Sequence, residues 1–407
     1  MVPDRPEAEK APASEAAVDR PVEPGRASLA SFAAFALWMG LVGFGGGWAV
    51  SQRIKRAVVH DNKWISEAAF VQTFAVSSAL PGTTATNLLT MLGAGLAGLP
   101  GAVLGMLGFV TPSALLMIAF GASYARVRGI HVLAEFLDGM SFSTVGVVAA
   151  VAVDLRRSAV KTPLGYAIAV LALAAIAIQL LHLLAVILIA GLTGALLLRD
   201  PPGPSDEGGP EPDPPSPPPS RVTLALLPPL LLAGGLSMSL LFVFARIGVA
   251  TFGGGFAMIP SIEHEVVGVN GWLDAPAFND AMVLGQVTPG PVAIAATFIG
   301  YKVAGLSGAV AATLGVFGPP CVIAIIAARS LRAFRSSRSV QAFLRGVAPA
   351  VVGVIAAAAV SLWRTSVHGT FGACVAVVAF AALVRYPKLT PLLPLAAGGL
   401  VTAALNR

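Results

Sequence analysis

Apolar stretches long enough to enter or cross a lipid bilayer recur along almost the whole chain, and they decide its solvent. They fill residues 29–50, 66–96, 101–125, 139–155, 163–180 and 182–198, then 222–260, 276–304, 308–330, 346–363, 369–384 and 389–405. About 20 residues span the hydrocarbon core, so the longest of these are expected to hold two short helices each. Only 11% of the residues are charged, against roughly 25% for a soluble domain, so water cannot surround this chain. The expected fold class is all-α: a polytopic integral membrane protein with about 10–13 membrane segments.

The chain is written twice. Phe44-Gly45-Gly46-Gly47 recurs as Phe252-Gly253-Gly254-Gly255, an offset of 208 that also pairs Asn62 with Asn270, Trp64 with Trp272 and Pro81-Gly82 with Pro289-Gly290. After one dropped residue the offset is 207, pairing Gly93 with Gly300, Gly101 with Gly308, Pro112 with Pro319 and Gly146 with Gly353. Apolar composition produces chance Leu and Ala matches, but not aligned Trp, Pro and Gly. The expected division is a disordered tail over 1–28, a membrane repeat over 29–198, a linker over 199–221 and a second repeat over 222–407. The linker holds ten Pro and five Asp or Glu, and buries nothing. The tail has no apolar core and is not a signal peptide.

Charge then orients the copies. Loop 51–63 carries Arg53, Lys55, Arg56 and Lys63, whereas its counterpart carries Glu263, His264 and Glu265. Segment 331–345 holds Arg332, Arg335, Arg338 and Arg345, and its counterpart sets Glu135 and Asp138 against Arg126 and Arg128. Lys- and Arg-rich loops stay cytoplasmic, so equivalent loops are expected on opposite sides, the mark of an inverted repeat. The net charge of +6 is scattered between apolar stretches and predicts no nucleic-acid partner.

Two motifs can carry chemistry. Gly45, Gly46 and Gly47, repeated as Gly253, Gly254 and Gly255, break a helix at membrane depth, where irregular backbone survives only if buried or lining a wet cavity. A helix restarting there aims free N–H groups and its positive end into the cavity, which suits an anion. Close helix packing through glycine is the plainer alternative. The second motif joins Pro81, Gly82, Thr83, Thr84 and Asn87 to Gln286, Thr288, Pro289, Gly290 and Pro291. Proline and glycine turn the chain, while Ser77, Ser78, Thr86 and their neighbours offer neutral donors, or else satisfy carbonyls freed by the kink. Arg246 and Lys302 are candidates to hold an anion, and Glu67 and Asp280 to accept a coupling proton. Cys321, Cys374 and the five histidines show no ligand spacing; no nucleophile set or P-loop is present. Neither an enzyme nor a cofactor is expected.

TFGGGFAMIP (251–260), GWLD (271–274), QVTPGPVAIAATFIGY (286–301) and Gly318-Pro319-Pro320 together resemble the chromate ion transporter family. With the N-terminal copy, the resemblance covers most of 30–405. It implies a long-chain, two-repeat transporter exporting chromate from the bacterial cytoplasm across the inner membrane, driven by the membrane potential or a proton gradient. Sulfate and related oxyanions are the neighbouring substrates, and a homodimer is the candidate assembly. The N-terminal copy departs from the family pattern, reading FGGGWAV where members read FGGP followed by Ala-His, and Pro81-Gly82-Thr83 where they read Pro-Gly-Pro. The implied motif roles therefore fall most directly on Gly253, Gly254, Gly255, Pro289, Gly290 and Pro291.

Overall fold

The computed structural model describes residues 27–44, 46–197, 234–330 and 337–405. Tail residues 1–26, the linker 199–221, the apolar segment 222–233, Arg332, Arg335 and Gly45 lie outside the described residues. The first repeat supplies α1 (Leu29–Val42), α2 (Gly46–Lys55), α3 (Glu67–Ala79), α4 (Thr84–Arg128), α5 (His131–Ala159), α6 (Pro163–Ala177) and α7 (Leu183–Leu197). The second supplies α8 (Gly235–Ala250), α9 (Ile259–Glu263), α10 (Ala275–Val287), α11 (Ala295–Arg329), α12 (Arg338–Ser366), α13 (Gly369–Arg385) and α14 (Leu392–Leu405). No strand occurs among the described residues.

Duplication reaches the backbone itself. Ser66 caps α3 by accepting from the Ala69 amide, and Asp274 at the equivalent position caps α10 by accepting from Ala277. A six-residue π-helix follows α2 at Arg56–Asp61 and follows α9 at His264–Val269. In α4 the helix folds back at Ala97–Gly98, where Gly98 has φ 66°; in α11 it does so at Ala304–Gly305, with φ 60°. Only glycine takes such a backbone readily. The 45-residue α4 is therefore two limbs, 84–96 and 99–128, and α11 is built alike. Gly93 lies against Gly101 and Gly300 against Gly308, because no side chain separates the limbs there. The first limb, about 20 Å in α4 and about 14 Å in α11, is too short to cross a bilayer alone.

The repeats are interleaved. Helices α4 and α11 pack together, and so do α5 and α12. The closing hairpins are exchanged: α6 and α7 cover α12 of the other repeat, while α13 and α14 cover α5. Glycines set both contacts, Gly194 meeting Gly346 on α12 and Gly139 meeting Gly398 on α14. Backbones approach this closely in lipid because small residues permit it.

Equivalent helices run in opposite directions. Met91 near the start of α4 clusters with Ala324 and Ala327 near the end of α11, whereas Gly121 late in α4 abuts Tyr301 early in α11. Trp64 packs on Phe32 and Phe35 beside the α4 bend, at one end of the molecule. Its counterpart Trp272 shares a hollow with Tyr124 and Lys302, at the other end. The two copies are inverted.

Candidate functional site

The two motifs meet crosswise. The Gly82 N–H of the first Pro-Gly turn donates to the Thr251 carbonyl beside the second glycine break, at 2.6 Å. The Gly290 N–H of the second turn donates to the Gly43 carbonyl beside the first break, at 3.0 Å. These bonds are equivalents of each other, so each junction takes its break from one repeat and its turn from the other. Gly82 has φ 99° and Gly290 φ 106°, backbone that other residues rarely adopt. Each turn glycine also lies on the helix that follows the other repeat's Pro-Gly turn: Gly82 on Pro320 of α11, Gly290 on Ser113 of α4.

The breaks are open where the turns are closed. Gly46 and Gly47 begin α2, and Gly47 is exposed. Gly253 is exposed with φ 73°, and Gly254, at φ 110°, faces open space, where a methyl group would meet nothing within 4 Å. Gly255 is buried against Val292 and Ala293 and starts a short 3-10 turn, Gly255–Met258. Between Pro289 and Val292 the second turn runs through Pro291, which is buried. Pro81 and Thr84 of the first turn are half-buried.

Many of the hydroxyls are already occupied. Ser77 and Ser78 both donate to the Phe74 carbonyl at 2.9 Å, and Thr288 donates to Leu284 at 2.7 Å. Thr83 and Thr86 pair with each other at 2.7 Å, and the Asn87 amide donates to Pro81 at 2.8 Å. These groups close the chain around the proline kinks. Gln286 differs: its Nε2 donates to Met282 at 3.2 Å and to Thr144 of α5 at 3.4 Å, while its buried Oε1 has no partner among the described residues. Ser113 Oγ, beside Gly290, is likewise buried and unpartnered among the described residues.

The ionisable candidates are each engaged by a neighbour. Arg246 pairs with Glu265, Glu67 with Lys55, and Lys302 sits over the Tyr124 ring at 4.7 Å. Arg246 and Glu265 help line a cavity of about 210 Å³, together with His182, His264, Glu263 and Arg364, that reaches inward to Ala250 beside the second break. Asp280 is fully buried and held across the repeats. Arg128 of α4 grips it with Nε–Oδ2 2.7 Å and Nη2–Oδ1 2.9 Å, and the Tyr124 hydroxyl donates to Oδ2 at 2.6 Å. Arg128 also reaches Asp138 at 2.8 Å. A bidentate fork of this kind fixes geometry as well as charge.

Arg128, Tyr124, Ser113 and Thr144 escaped motif reading. One signal existed for the first pair: Asp280 is a carboxylate in an apolar helix, and the first copy has Gln72 at that position. A partner had to be sought elsewhere in the chain. Among the described residues no group of three His, Cys, Asp or Glu side chains can hold a metal ion.

Comparisons with known proteins agree on one family. The chromate transporter family model matches residues 30–195 and again 238–403. The chain is 31% identical over 346 residues to a probable chromate transport protein of Synechococcus elongatus, covering 84% of this chain and 86% of that protein. It is 29% identical over 382 residues to a chromate transport protein of Cupriavidus metallidurans, covering 92% of each. A chromate transport protein of Pseudomonas aeruginosa is 31% identical over 380 residues, covering 86% of this chain and 85% of that one. No solved structure matches this chain. With both repeats matched separately and relatives aligned over most of their length, the chain belongs to the chromate transporter family.

Proposed function

We propose that this protein is a secondary active transporter that exports chromate, or a related divalent oxyanion such as sulfate, from the cytoplasm across the bacterial inner membrane. The observation that carries the reading is the reciprocal pair of bonds, Gly82 to Thr251 and Gly290 to Gly43, which bring broken helices of inverted repeats together inside the bundle. Inverted repeats with interrupted helices at their interface are the usual build of alternating-access transporters. The oxyanion binds where a glycine break of one repeat meets the Pro-Gly turn of the other, using backbone N–H groups and neutral hydroxyls. The three relatives named as chromate transport proteins supply the substrate class.

The test is chromate accumulation in energised bacterial cells with and without the protein, before and after collapse of the membrane potential. Export predicts lower accumulation that depends on energisation. Unchanged accumulation, with the protein present in the membrane, removes chromate export. The N-terminal departures, FGGGWAV and Pro81-Gly82-Thr83, favour one alternative: another anion on the same fold. Failure of excess sulfate to compete with the transported species supports that alternative.

A further inference from the structure

The two crosswise junctions are equivalent in backbone and unlike in chemistry. At the junction of Gly43 with Gly290, Ser113 of α4 lies on Gly290, and Gln286 of α10, one helical turn before that glycine, reaches Thr144 of α5. Their counterparts at the junction of Thr251 with Gly82 are Pro320, Ser78 and Val351. Pro320 lies on Gly82, and Val351 lies on Gly253, so that wall is hydrocarbon. Ser78 spends its proton on the Phe74 carbonyl, Asn87 donates to Pro81, and Thr83 and Thr86 pair with each other, which leaves one hydroxyl proton between them. The equivalents of Ser113 and Thr144 there, Pro320 and Val351, carry no hydroxyl.

The other junction is unsatisfied. Ser113 is fully buried and its hydroxyl has no partner among the described residues, which is costly if nothing fills the role. Thr144, 1% exposed, accepts from Gln286, and its own proton meets no acceptor among the described residues. The Gln286 carboxamide has one bonded end and one orphaned end, and a half turn exchanges donor for acceptor. Buried groups of this kind deserve an explanation, and two hydroxyl protons without acceptors are complementary to a ligand whose atoms are all acceptors.

We propose that the transporter holds one tetrahedral oxyanion per chain, at the Gly43–Gly290 junction only, with Ser113 and Thr144 as donors to its oxygens and Gln286 positioned beside them. The second junction is a structural copy with Pro320 and Val351 in place of those two donors. This rests on the oxyanion reading given above and narrows it to one site with two residues that no motif contains. Chromate and sulfate share the tetrahedral dianion chemistry, so both use the same donors.

The experiment is chromate transport by full-length protein in proteoliposomes, comparing wild type with S113A, T144V, T144S, V351T and T144V/V351T, together with equilibrium binding of chromate to purified protein. Loss of one hydrogen bond to a charged ligand predicts a rise in KM of about tenfold or more for S113A and T144V. T144S keeps the hydroxyl and restores KM to within about twofold, a rescue that a purely packing role for the methyl group would not give. V351T leaves KM unchanged and does not rescue T144V. Binding saturates at one chromate per chain. Unaltered KM in folded S113A and T144V, two chromates per chain, or rescue of T144V by V351T each overturns the single-site inference while leaving chromate transport intact. Absence of chromate transport by the wild type overturns the functional reading, and the inference with it.

Discussion

Arg128 serves two carboxylates, Asp138 at the rim and Asp280 in the interior, and it joins α4 of one repeat to α10 of the other. Removing one member of a buried pair strands the other, which costs about 3–5 kcal/mol. Because Arg128 remains 22% exposed and keeps Asp138, Asp280→Ala is expected at the lower end, about 3 kcal/mol. Thermal unfolding in detergent should show a clear drop for Asp280→Ala and a smaller one for Asp280→Asn; an unchanged midpoint for both sinks the network as a structural tie. The turn glycines make a second residue-level prediction. Gly82→Ala must adopt φ near 99° and place its methyl 2.6 Å from the Pro320 ring, which cannot rotate away. About 1–3 kcal/mol of backbone strain comes on top of that clash. Transport should fall severely in Gly82→Ala, and full activity in a vesicle assay would show that the turn tolerates a side chain. Gly82 and Gly290 were legible in the sequence because Pro-Gly inside an apolar run has few uses. Arg128 was not, since its partner lies 152 residues away and leaves no local spacing to read.

Among the elements, the succession of apolar helices and the bends within 66–96 and 276–304 were readable from length, glycine and proline. The exchange of the closing hairpins was not. Both α5 and α12 carry glycine stripes, Gly139 with Gly146 and Gly346 with Gly353, and sequence alone does not say which hairpin fills which stripe. In the structure Gly146 receives Ala376 and Ala379 of α13, and Gly353 receives Ala169 and Leu173 of α6. We propose the linker as the boundary between repeats, which makes the exchange testable by cutting there. Halves 1–204 and 205–407, expressed together, should co-purify through one tag, because each buries its central helix under the other's hairpin. Gly346→Leu should abolish that co-purification, as its side chain would meet the Ala190 carbonyl and the Gly194 backbone on α7. Halves that fold separately and ignore each other would refute the exchange.

At the scale of the whole molecule, inversion turns a local charge bias into a polarity of two ends. The end bearing the α4 bend collects Arg53, Lys55, Arg56 and Lys63, the α5 terminus with Arg156 and Arg157, Arg329 at the end of α11, Arg385 at the end of α13 and Lys388 beyond it, against Asp61, Glu67 and Asp154. At the opposite end Glu263, Glu265, Asp274, Asp280, Glu135 and Asp138 match Arg126, Arg128, Arg246, Lys302 and Arg364. Cationic loops resist translocation, so the first end is expected in the cytoplasm. Equivalent residues then provide a sharp measurement. His60 and Gly268 occupy the same place in the two π-helices, and both are exposed. In a background with Cys321 and Cys374 replaced by alanine, His60→Cys and Gly268→Cys are treated with a membrane-impermeant maleimide on intact spheroplasts. Inversion with a cytoplasmic first end predicts labelling of Gly268→Cys alone, and of His60→Cys only after permeabilisation. Labelling of both or neither in intact spheroplasts would contradict the inverted pair. Labelling of His60→Cys alone would keep the inversion and reverse its direction, placing the cavity beside Arg246 and Glu263 on the cytoplasmic side.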